Sequence, residues 1–339
     1  MKDISVFLGA NTGRGFSSLY EETVGSLAPE KLYVVKGSAG CGKSGLMKRV
    51  AAHAAELGQR VIRVLCSGDP DSLDGVVLPA LGIAFFDGTS PHVLEPALTG
   101  QKGFYADLSR FFTSPAEGLE ALEEAYREHY RKAYRYLASA GSLEEVRRCS
   151  GETRSAVCRR AEALAARTLG RGRGEGRVLR CYTDAFTCRG LVSLEESRRA
   201  LAARLVALTG GSEASDLFLR TYLRAAVERG REVILCPDPR EKRRIAHLLL
   251  PELGFGITTG AGDRRIHLEK LGPPPSDGEK AEARELDKLR SSLLDAAQRE
   301  LALAKEDHDR LEAAVAPHVD FSGVTAYTEE LIRAVFGEA

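Results

Sequence analysis

The 339-residue chain carries 48 basic and 48 acidic side chains, so its formal net charge at pH 7 is zero. A balanced chain has no overall field that would attract nucleic acid or an anionic membrane, and this argues against both as partners. The longest apolar stretch, residues 76–86, is too short to cross a bilayer. The length favours two domains. The start does not resemble a secretory signal and the seven cysteines include no CxxC pair, so we expect reduced thiols and a cytoplasmic protein.

Strand-like and helix-like segments alternate in the first half of the chain. We predict strands at 31–35, 60–66 and 81–87 and a helix at 44–58. Strands connected through helices imply crossover connections and a parallel sheet. Residues 115–167 are predicted to form a helical hairpin on this domain, with a partner-binding coiled coil as the alternative. The face of the hairpin that would be buried carries Leu119, Leu122, Tyr126, Tyr130 and Ala133.

The segment between the first of these strands and the helix reads GSAGCGKS and matches the phosphate-loop pattern G-x-x-x-x-G-K-[S/T]. Glycines in such a loop let consecutive backbone N–H groups point at phosphate oxygens, and the following helix N-terminus adds partial positive charge. We expect Lys43 to contact the β- and γ-phosphates and Ser44 to bind Mg²⁺, with ATP as the nucleotide. The predicted nucleotide-binding residues are Gly37, Ser38, Ala39, Gly40, Cys41, Gly42, Lys43, Ser44 and Gly45.

Acidic residues at the ends of the next two strands are the candidates for the rest of the site. Asp87 ends an apolar strand and is predicted to be the second magnesium ligand. It is followed by Gly88 and not by a water-activating glutamate, which favours transfer to a bound acceptor or slow, partner-stimulated hydrolysis. Asp69 or Asp71 is the candidate general base. In the alternative interpretation, Asp71 caps a helix whose acidic first turn contains Asp74.

Two more side chains belong to the same region. His92 follows a turn after the third strand, and a structural role is expected for it more than a catalytic one. Cys41 lies inside the loop, where the helix dipole and the phosphate-binding amides would lower the pKa of a thiol. A redox switch and a small side chain that simply fits are both open interpretations of Cys41.

The second half repeats the plan of the first half, which indicates an internal duplication. The glycine-rich stretch 169–178 is interpreted as a solvated linker, giving predicted domains at 1–170 and 178–339. The similar segments, in the same order in both halves, are 11–19 and 186–194, 56–70 and 228–239, and 78–88 and 250–260.

The duplication predicts the elements of the second half and the fate of its loop. Strands are expected near 203–208, 232–236 and 254–258, and a long helical tail is expected after the proline-rich break at 271–280. A helix is expected after Asp216. We predict that the second loop has lost its ligands and that the chain has one competent nucleotide site. Aligning Gly210 with Gly37 pairs Lys43 with Asp216, Ser44 with Leu217 and Asp87 with Thr259.

Several motifs together resemble an uncharacterised family of bacterial two-repeat P-loop proteins, labelled ATPase or nucleotide kinase-like. The resemblance extends along almost the whole chain and implies tandem P-loop NTPase-type α/β domains and nucleotide binding, with no established substrate. Members of that family carry a phosphate loop in both halves, and this sequence departs from that pattern in the second. Besides the phosphate loop, the motifs are GANTGRGF (9–16), CSGDPDSLDG (66–75), LGIAFFDGTSPH (81–92) and AFTCRG (185–190).

These observations favour an ATP- and Mg²⁺-dependent enzyme, either an ATPase or a small-molecule kinase-like phosphotransferase with an unknown acceptor. The alternative is an ATP-regulated interaction protein with negligible turnover and an unknown protein partner. Nucleic-acid handling would rest on the basic cluster at 147–160, which is expected to be a solvated helix face.

Overall fold

The computed structural model describes residues 4–96, 98–143, 149–170, 172 and 175–337 and shows an α/β protein with two similar six-stranded sheets. In each sheet one strand runs antiparallel to both of its neighbours, whereas all other neighbouring pairs are parallel. We call the part of the fold built on each sheet a unit. Each described helix is too short or too polar to cross a membrane.

The first unit contains a sheet in the order β1-β5-β6-β7-β4-β8 and a small separate hairpin, β2-β3. The strands predicted at 31–35, 60–66 and 81–87 and the helix predicted at 44–58 are confirmed. The elements, in chain order, are β1 (Ile4–Val6), β2 (Gly9–Thr12), β3 (Gly15–Ser18), α1 (Tyr20–Leu27), β4 (Lys31–Lys36), α2 (Lys43–Glu56), β5 (Ile62–Leu65), β6 (Leu73–Leu78), β7 (Ile83–Asp87) and β8 (Gly103–Asp107).

The prediction of a purely parallel sheet is wrong because of strand β6. A tight turn joins β5 to β6, with hydrogen bonds from the Ser72 N–H to the Asp69 carbonyl and from the Cys66 N–H to the Ser72 carbonyl. A turn this short reverses the chain and forces antiparallel pairing, whereas a parallel pair needs a long crossover. The residues after Asp71 enter a buried strand, so the interpretation of Asp71 as a helix cap is also wrong.

The second unit has the order β16-β12-β15-β14-β13-β9, which is equivalent to the first sheet strand by strand. The strands predicted near 203–208, 232–236 and 254–258 are confirmed, and the helix expected after Asp216 begins earlier, at Ser212. The elements are β9 (Arg177–Arg180), β10 (Asp184–Thr187), β11 (Gly190–Ser193), α5 (Glu195–Leu201), β12 (Arg204–Thr209), α6 (Ser212–Glu228), β13 (Glu232–Pro237), β14 (Ile245–Leu250), β15 (Phe255–Thr258) and β16 (Arg264–His267).

The two units meet through a self-complementary contact. Phe7 and Tyr182 occupy equivalent positions, 175 residues apart, like the segments beginning at 11 and 186. Each donates its backbone N–H to the carbonyl of the other at 2.8 Å. A pair of equivalent residues that bind each other is the signature of a two-fold interface. The chain is therefore arranged like a dimer whose two subunits are fused in sequence.

The long helices of each half of the sequence pack on helices of the other half. The prediction that residues 115–167 form a helical hairpin, with its two helices packed on each other, is therefore wrong. Helix α3 (Glu120–Ser142) packs along α7 (Asp277–Val315), which belongs to the other half of the sequence. Helix α4 (Gly151–Thr168) packs on α6, and α8 (Phe321–Phe336) packs on α2. Tyr130 and Ala133 of the predicted apolar face are packed, but against Ala297 and Leu301 of α7, an element of the other repeat.

The glycine-rich stretch 169–178 is attached to the second unit wherever the structure describes it; residues 171, 173 and 174 lie outside the described residues. Leu169 is completely buried among side chains of α4 and α6. Gly172 donates its N–H to the carbonyl of Arg229 at 2.7 Å. Gly170, Glu175 and Arg177 are exposed, so the segment is solvated in part, but the contacts of Leu169 and Gly172 hold it against the second unit.

The exchange of α8 gives a stability prediction. Leu331 of α8 is buried in the same core cluster as α2 and the first sheet, so Leu331→Ala should lower the free energy of unfolding by about 2–4 kcal/mol. Urea unfolding followed by circular dichroism measures this loss. Leu303→Ala is the matched control, since Leu303 of α7 is 40% exposed and should change stability by less than about 0.5 kcal/mol. Equal effects of the two substitutions would contradict the packing of α8 on the first unit.

Candidate functional site

The loop at 37–44 lies at the carboxyl edge of the first sheet, between β4 and α2. The parallel strands β7 and β8 flank β4, so their carboxyl ends lie beside the loop. Ligands of open α/β sheets bind at this edge. Gly37, Gly40 and Gly42 have φ values of 141°, 76° and 97°, which residues other than glycine rarely adopt. Gly42 is the N-cap of α2. The backbone thus has the curl that a phosphate-binding loop requires.

Lys43 is the first residue of α2, and its side chain folds back across the loop. Its ammonium group donates hydrogen bonds to the carbonyls of Gly37 at 2.7 Å and Ser38 at 2.8 Å. The same nitrogen is 3.8 Å from Oδ2 of Asp87, the last residue of β7. The Oδ1 atom of Asp87 accepts hydrogen bonds from the backbone and the hydroxyl of Thr89. The structure therefore brings together the predicted phosphate-binding lysine and the predicted magnesium carboxylate.

Ser44 connects the loop to the antiparallel strand. Its Oγ accepts a hydrogen bond from the backbone N–H of Leu73, the first residue of β6, at 3.0 Å. A hydroxyl oxygen has two lone pairs, so this bond leaves one for a cation. Ser44 thus has a structural role that the sequence did not reveal, in addition to its predicted role as a magnesium ligand.

The second half of the sequence covers the loop at 37–44 of the first unit. A Cβ atom added to Gly40 would lie 2.9 Å from the backbone oxygen of Glu312, near the end of α7. A Cβ atom at Gly42 would meet Val324 and Phe321 of α8 at 3.4–3.7 Å. These contacts could not be predicted from the sequence, because the apolar residues of a helix show that one face is buried but not which surface that face contacts.

The two candidate bases differ in their surroundings. Asp69 accepts hydrogen bonds from the Asp71 N–H and the Ser72 hydroxyl, so it stabilises the β5–β6 turn, and its carboxylate is 3.6 Å from the ammonium group of Lys305 on α7. Asp71 is exposed and forms an ion pair with Arg189 of the second unit. Both residues lie on the turn that leads into β6, whose first backbone N–H binds Ser44.

Cys41 is completely buried beneath the loop, with its Sγ against Gly37 and Leu108 nearby. Burial raises the pKa of the Cys41 thiol, and the lowering influence of the Lys43 charge does not compensate. The expectation of a lowered thiol pKa is therefore wrong. Of the two open interpretations, the structure favours a small side chain that fits.

A cluster of ionisable side chains lies beside Asp87 and was missed as a group by the sequence analysis. His92 Nε2 is 3.3 Å from Oδ2 of Asp74, and the Tyr20 hydroxyl donates a hydrogen bond of 2.9 Å to the same oxygen. Burial raises the pKa of Asp74, in opposition to the charge of His92. Burial also raises the pKa of the neighbouring Cys66 thiol, and Asp74 adds to that effect. The signal in the sequence was the pair of motifs CSGDPDSLDG and DGTSPH, which contain three of these residues.

The second loop differs from the first by one residue in length, which corrects the predicted alignment. The Ile245 N–H donates to Oδ1 of Asp216 at 2.8 Å, as the Leu73 N–H does to Ser44. Both members of these pairs are 172 residues apart, so Asp216 is the equivalent of Ser44. The equivalent of Lys43 is therefore not Asp216 but its neighbour, the buried Ser215. The second loop lacks a lysine in either alignment.

A cavity of about 280 Å³ lies beside the second loop and is bordered by Gly210, Gly211 and Ser212. The three arginines on its wall all have protein partners. Arg240 makes two hydrogen bonds of 2.9 Å to Asp238, and Arg244 donates to the Ser212 hydroxyl at 2.9 Å. The wall of this cavity is thus held by interactions within the protein.

Comparison with known proteins gave no match: no protein-family model, curated protein or solved structure is detectably similar to the chain.

Proposed function

We propose that the protein binds MgATP at a single site in its first unit and acts as an ATPase or as a phosphotransferase on a small acceptor. The observation that supports this most strongly is the arrangement of Lys43: it opens α2 directly after a loop with three positive-φ glycines and lies 3.8 Å from Asp87. A lysine, a helix N-terminus and a carboxylate at one sheet edge are the elements that triphosphate and magnesium require.

In this proposal each residue has a defined task. The backbone N–H groups of residues 38–44 bind the phosphate oxygens, and the Lys43 ammonium group neutralises their charge after leaving its hydrogen bonds to the loop carbonyls. Ser44 and Asp87 are the ligands for Mg²⁺, which neutralises charge that develops on the transferred phosphoryl group. Asp69 or Asp71 accepts the proton of the attacking hydroxyl or water.

A second candidate function is an ATP-regulated interaction protein, favoured by the cover of α7 and α8 over the loop. Glu312 contacts the loop at Gly40, and Phe321 and Val324 contact it at Gly42. Phosphates bound next to these glycines would contact α7 and α8, which belong to the other repeat. Binding would therefore alter the packing between the two repeats. A partner could detect that difference.

Measurement of ADP formation from MgATP by the purified full chain, with and without small-molecule acceptors, distinguishes the two functions, because hydrolysis and phosphoryl transfer both produce ADP. ADP formation that is lost in Lys43→Ala supports the enzyme. Tight MgATP binding without ADP formation, with or without small-molecule acceptors, supports the regulated interaction protein. Absence of MgATP binding would contradict both.

Asp87→Asn should weaken magnesium-dependent activity or MgATP binding much more than magnesium-free ATP binding, by about tenfold or more. Loss of the negative charge removes a metal ligand but leaves an acceptor for the Thr89 hydrogen bonds. ATP titrations with Mg²⁺ and with EDTA measure the two affinities.

Asp107→Asn is a matched control for this experiment. Asp107 ends β8, the other parallel neighbour of β4, and its Oδ1 atom accepts from Ser109 as Asp87 accepts from Thr89. It has no contact with Lys43 among the interactions of the described residues. An equal loss with and without Mg²⁺ in Asp87→Asn, or the same loss in Asp107→Asn, would mean that Asp87 only stabilises a strand end.

A further inference from the structure

Cys66, Asp74 and His92 form a compact group that the nucleotide site does not use. They come from three different segments: the end of β5, the start of β6 and the chain after β7. One ligand atom from each residue, the thiol sulfur, a carboxylate oxygen and an imidazole nitrogen, lies within 4.8 Å of the other two. Asp74 and His92 are 5% and 7% exposed and Cys66 is half-buried, so most of the group is shielded from solvent.

The separation between the His92 nitrogen and the Asp74 oxygen fits one edge of tetrahedral coordination, and the Cys66 sulfur lies within 4.8 Å of both atoms. Zinc binds His nitrogen and carboxylate oxygen at about 2.0–2.2 Å and thiolate sulfur at about 2.3 Å, which places neighbouring ligand atoms about 3.3–3.7 Å apart. The observed separation between His92 Nε2 and Asp74 Oδ2 is 3.3 Å. Nitrogen, oxygen and sulfur together are a donor set for a divalent transition metal and not for magnesium or calcium, which prefer oxygen alone.

The surroundings of the group also suit a metal. The Tyr20 hydroxyl holds the Asp74 carboxylate by a hydrogen bond of 2.9 Å, and ligating carboxylates are commonly oriented in this way. The rings of Phe16 and Tyr20 pack against His92, with centroids 5.1 and 4.8 Å away, and restrict the imidazole. His92 Nδ1 is buried and has no hydrogen-bond partner among the described residues. Protein contacts therefore satisfy only one of the two imidazole nitrogens, Nε2, which faces Asp74.

We propose that Cys66, Asp74 and His92 form a binding site for one divalent transition-metal ion of the Zn²⁺ class. Binding forms bonds to the sulfur, one oxygen and one nitrogen, and the Cys66 thiol releases its proton to solvent. A thiolate and a carboxylate then balance the two positive charges of the ion, so the buried group is neutral. The ion fastens β5, β6 and the segment after β7 together beside Asp87, and the three protein ligands leave a fourth position for water or another ligand.

Titration of the chelator-treated full chain with Co²⁺ alone, without nucleotide, tests this site. We expect one Co²⁺ per chain, with the absorption of a thiolate–cobalt bond and of tetrahedral cobalt, and displacement by Zn²⁺. Cys66→Ser should abolish the thiolate band, and both Cys66→Ser and His92→Ala should bind about 100-fold more weakly or worse, because removal of a ligand costs more than removal of its supporting partner.

Two matched controls should keep the wild-type cobalt site. Cys149→Ser removes another partly buried thiol, which lies in the second unit. His308→Ala disrupts a second group of potential ligands within the described part of the chain, His308, Asp309 and Glu312, which is more exposed and lies on α7. Lys43→Ala should also retain the cobalt site, so failure of the nucleotide proposal and failure of the metal proposal give different results.

A wild-type protein that binds no Co²⁺, or one whose site is lost in His308→Ala and kept in Cys66→Ser, would overturn the proposal. If the Cys66 and His92 variants do not fold, alkylation of the wild-type protein decides. Zn²⁺ should protect Cys66 from alkylation in peptide mass spectrometry and leave Cys149 as reactive as before; equal labelling of Cys66 with and without Zn²⁺ would count against the site.

Discussion

Replacing Lys43 with alanine should lower MgATP affinity, or the turnover that depends on it, at least about tenfold. Lys43 is the first residue of α2, and its ammonium group donates hydrogen bonds to the carbonyls of Gly37 and Ser38. A short movement would therefore bring it to a phosphate bound by the loop. The charge acts in a partly enclosed site, since the Lys43 side chain is 11% exposed, and water screens it less there than on the surface. Isothermal titration calorimetry of the two proteins measures the loss.

Lys48→Ala is the control for the Lys43 substitution. Lys48 lies on the same helix, but its side chain is exposed, and removing it changes the net charge of the protein by the same amount. Its MgATP affinity should remain within about twofold of wild type. Wild-type affinity in Lys43→Ala would contradict the assignment of residues 37–44 as a phosphate-binding loop.

Asp184→Asn should lower the free energy of unfolding by about 3–5 kcal/mol, because it leaves Arg198 buried without its charge partner. Arg198 is 2% exposed and donates to Oδ1 of Asp184 at 2.8 Å, while His247 binds the other carboxylate oxygen. This network crosses the second unit from α5 to β14. Urea unfolding at neutral pH measures the loss.

Acid unfolding provides an independent test of the same network. Burial alone would raise the pKa of Asp184, but His247 and Arg198 hold it well below its ordinary value. A group with a lowered folded-state pKa stabilises the protein above its unfolded pKa of about 4 and loses that contribution as the pH falls towards the folded pKa. Asp184→Asn should therefore flatten the decline of stability below about pH 4.

Asp263→Asn is the matched control for the Asp184 substitution. Asp263 is an exposed carboxylate that pairs with Arg199, the neighbour of Arg198 on α5, at 2.9 Å. An exposed pair contributes about 0–1 kcal/mol, so this variant should stay close to wild type. Comparable losses in the two variants would show that burial of the Asp184 network is not what stabilises the second unit.

The elements around the loop at 37–44 could be predicted because their signals are local. The strand at 31–35, the glycines of the loop and the apolar spacing of α2 are contiguous in sequence. The observed ends of the strand and of the helix differ from the predicted ends by two residues at most. Strand β6 could not be predicted in the same way. Its buried sequence LDGVVL continues into the next apolar segment, and its direction is set by the hydrogen bonds of the turn that begins at Asp69.

Contacts between distant parts of the chain could not be predicted from patterns in the sequence. The sequence predicts a long helical tail, but it does not indicate that α3 packs along α7 or that Glu312 lies against Gly40. The group Cys66, Asp74 and His92 forms only when β6 turns back beside β7. The one-residue difference between the two loops became visible through hydrogen bonds of Ser44 and Asp216, which no ungapped alignment contains.

The stoichiometry of MgATP binding tests the central claim most directly. Calorimetry of the full chain should find one MgATP per chain, lost in Lys43→Ala. Asp216→Ala should leave that affinity unchanged, although it should lower stability by about 1–2 kcal/mol because the Ile245 N–H loses its acceptor. Two equivalents of MgATP per chain, with the second bound at the cavity beside Gly210 and weakened by Asp216→Ala, would contradict the account of one competent site.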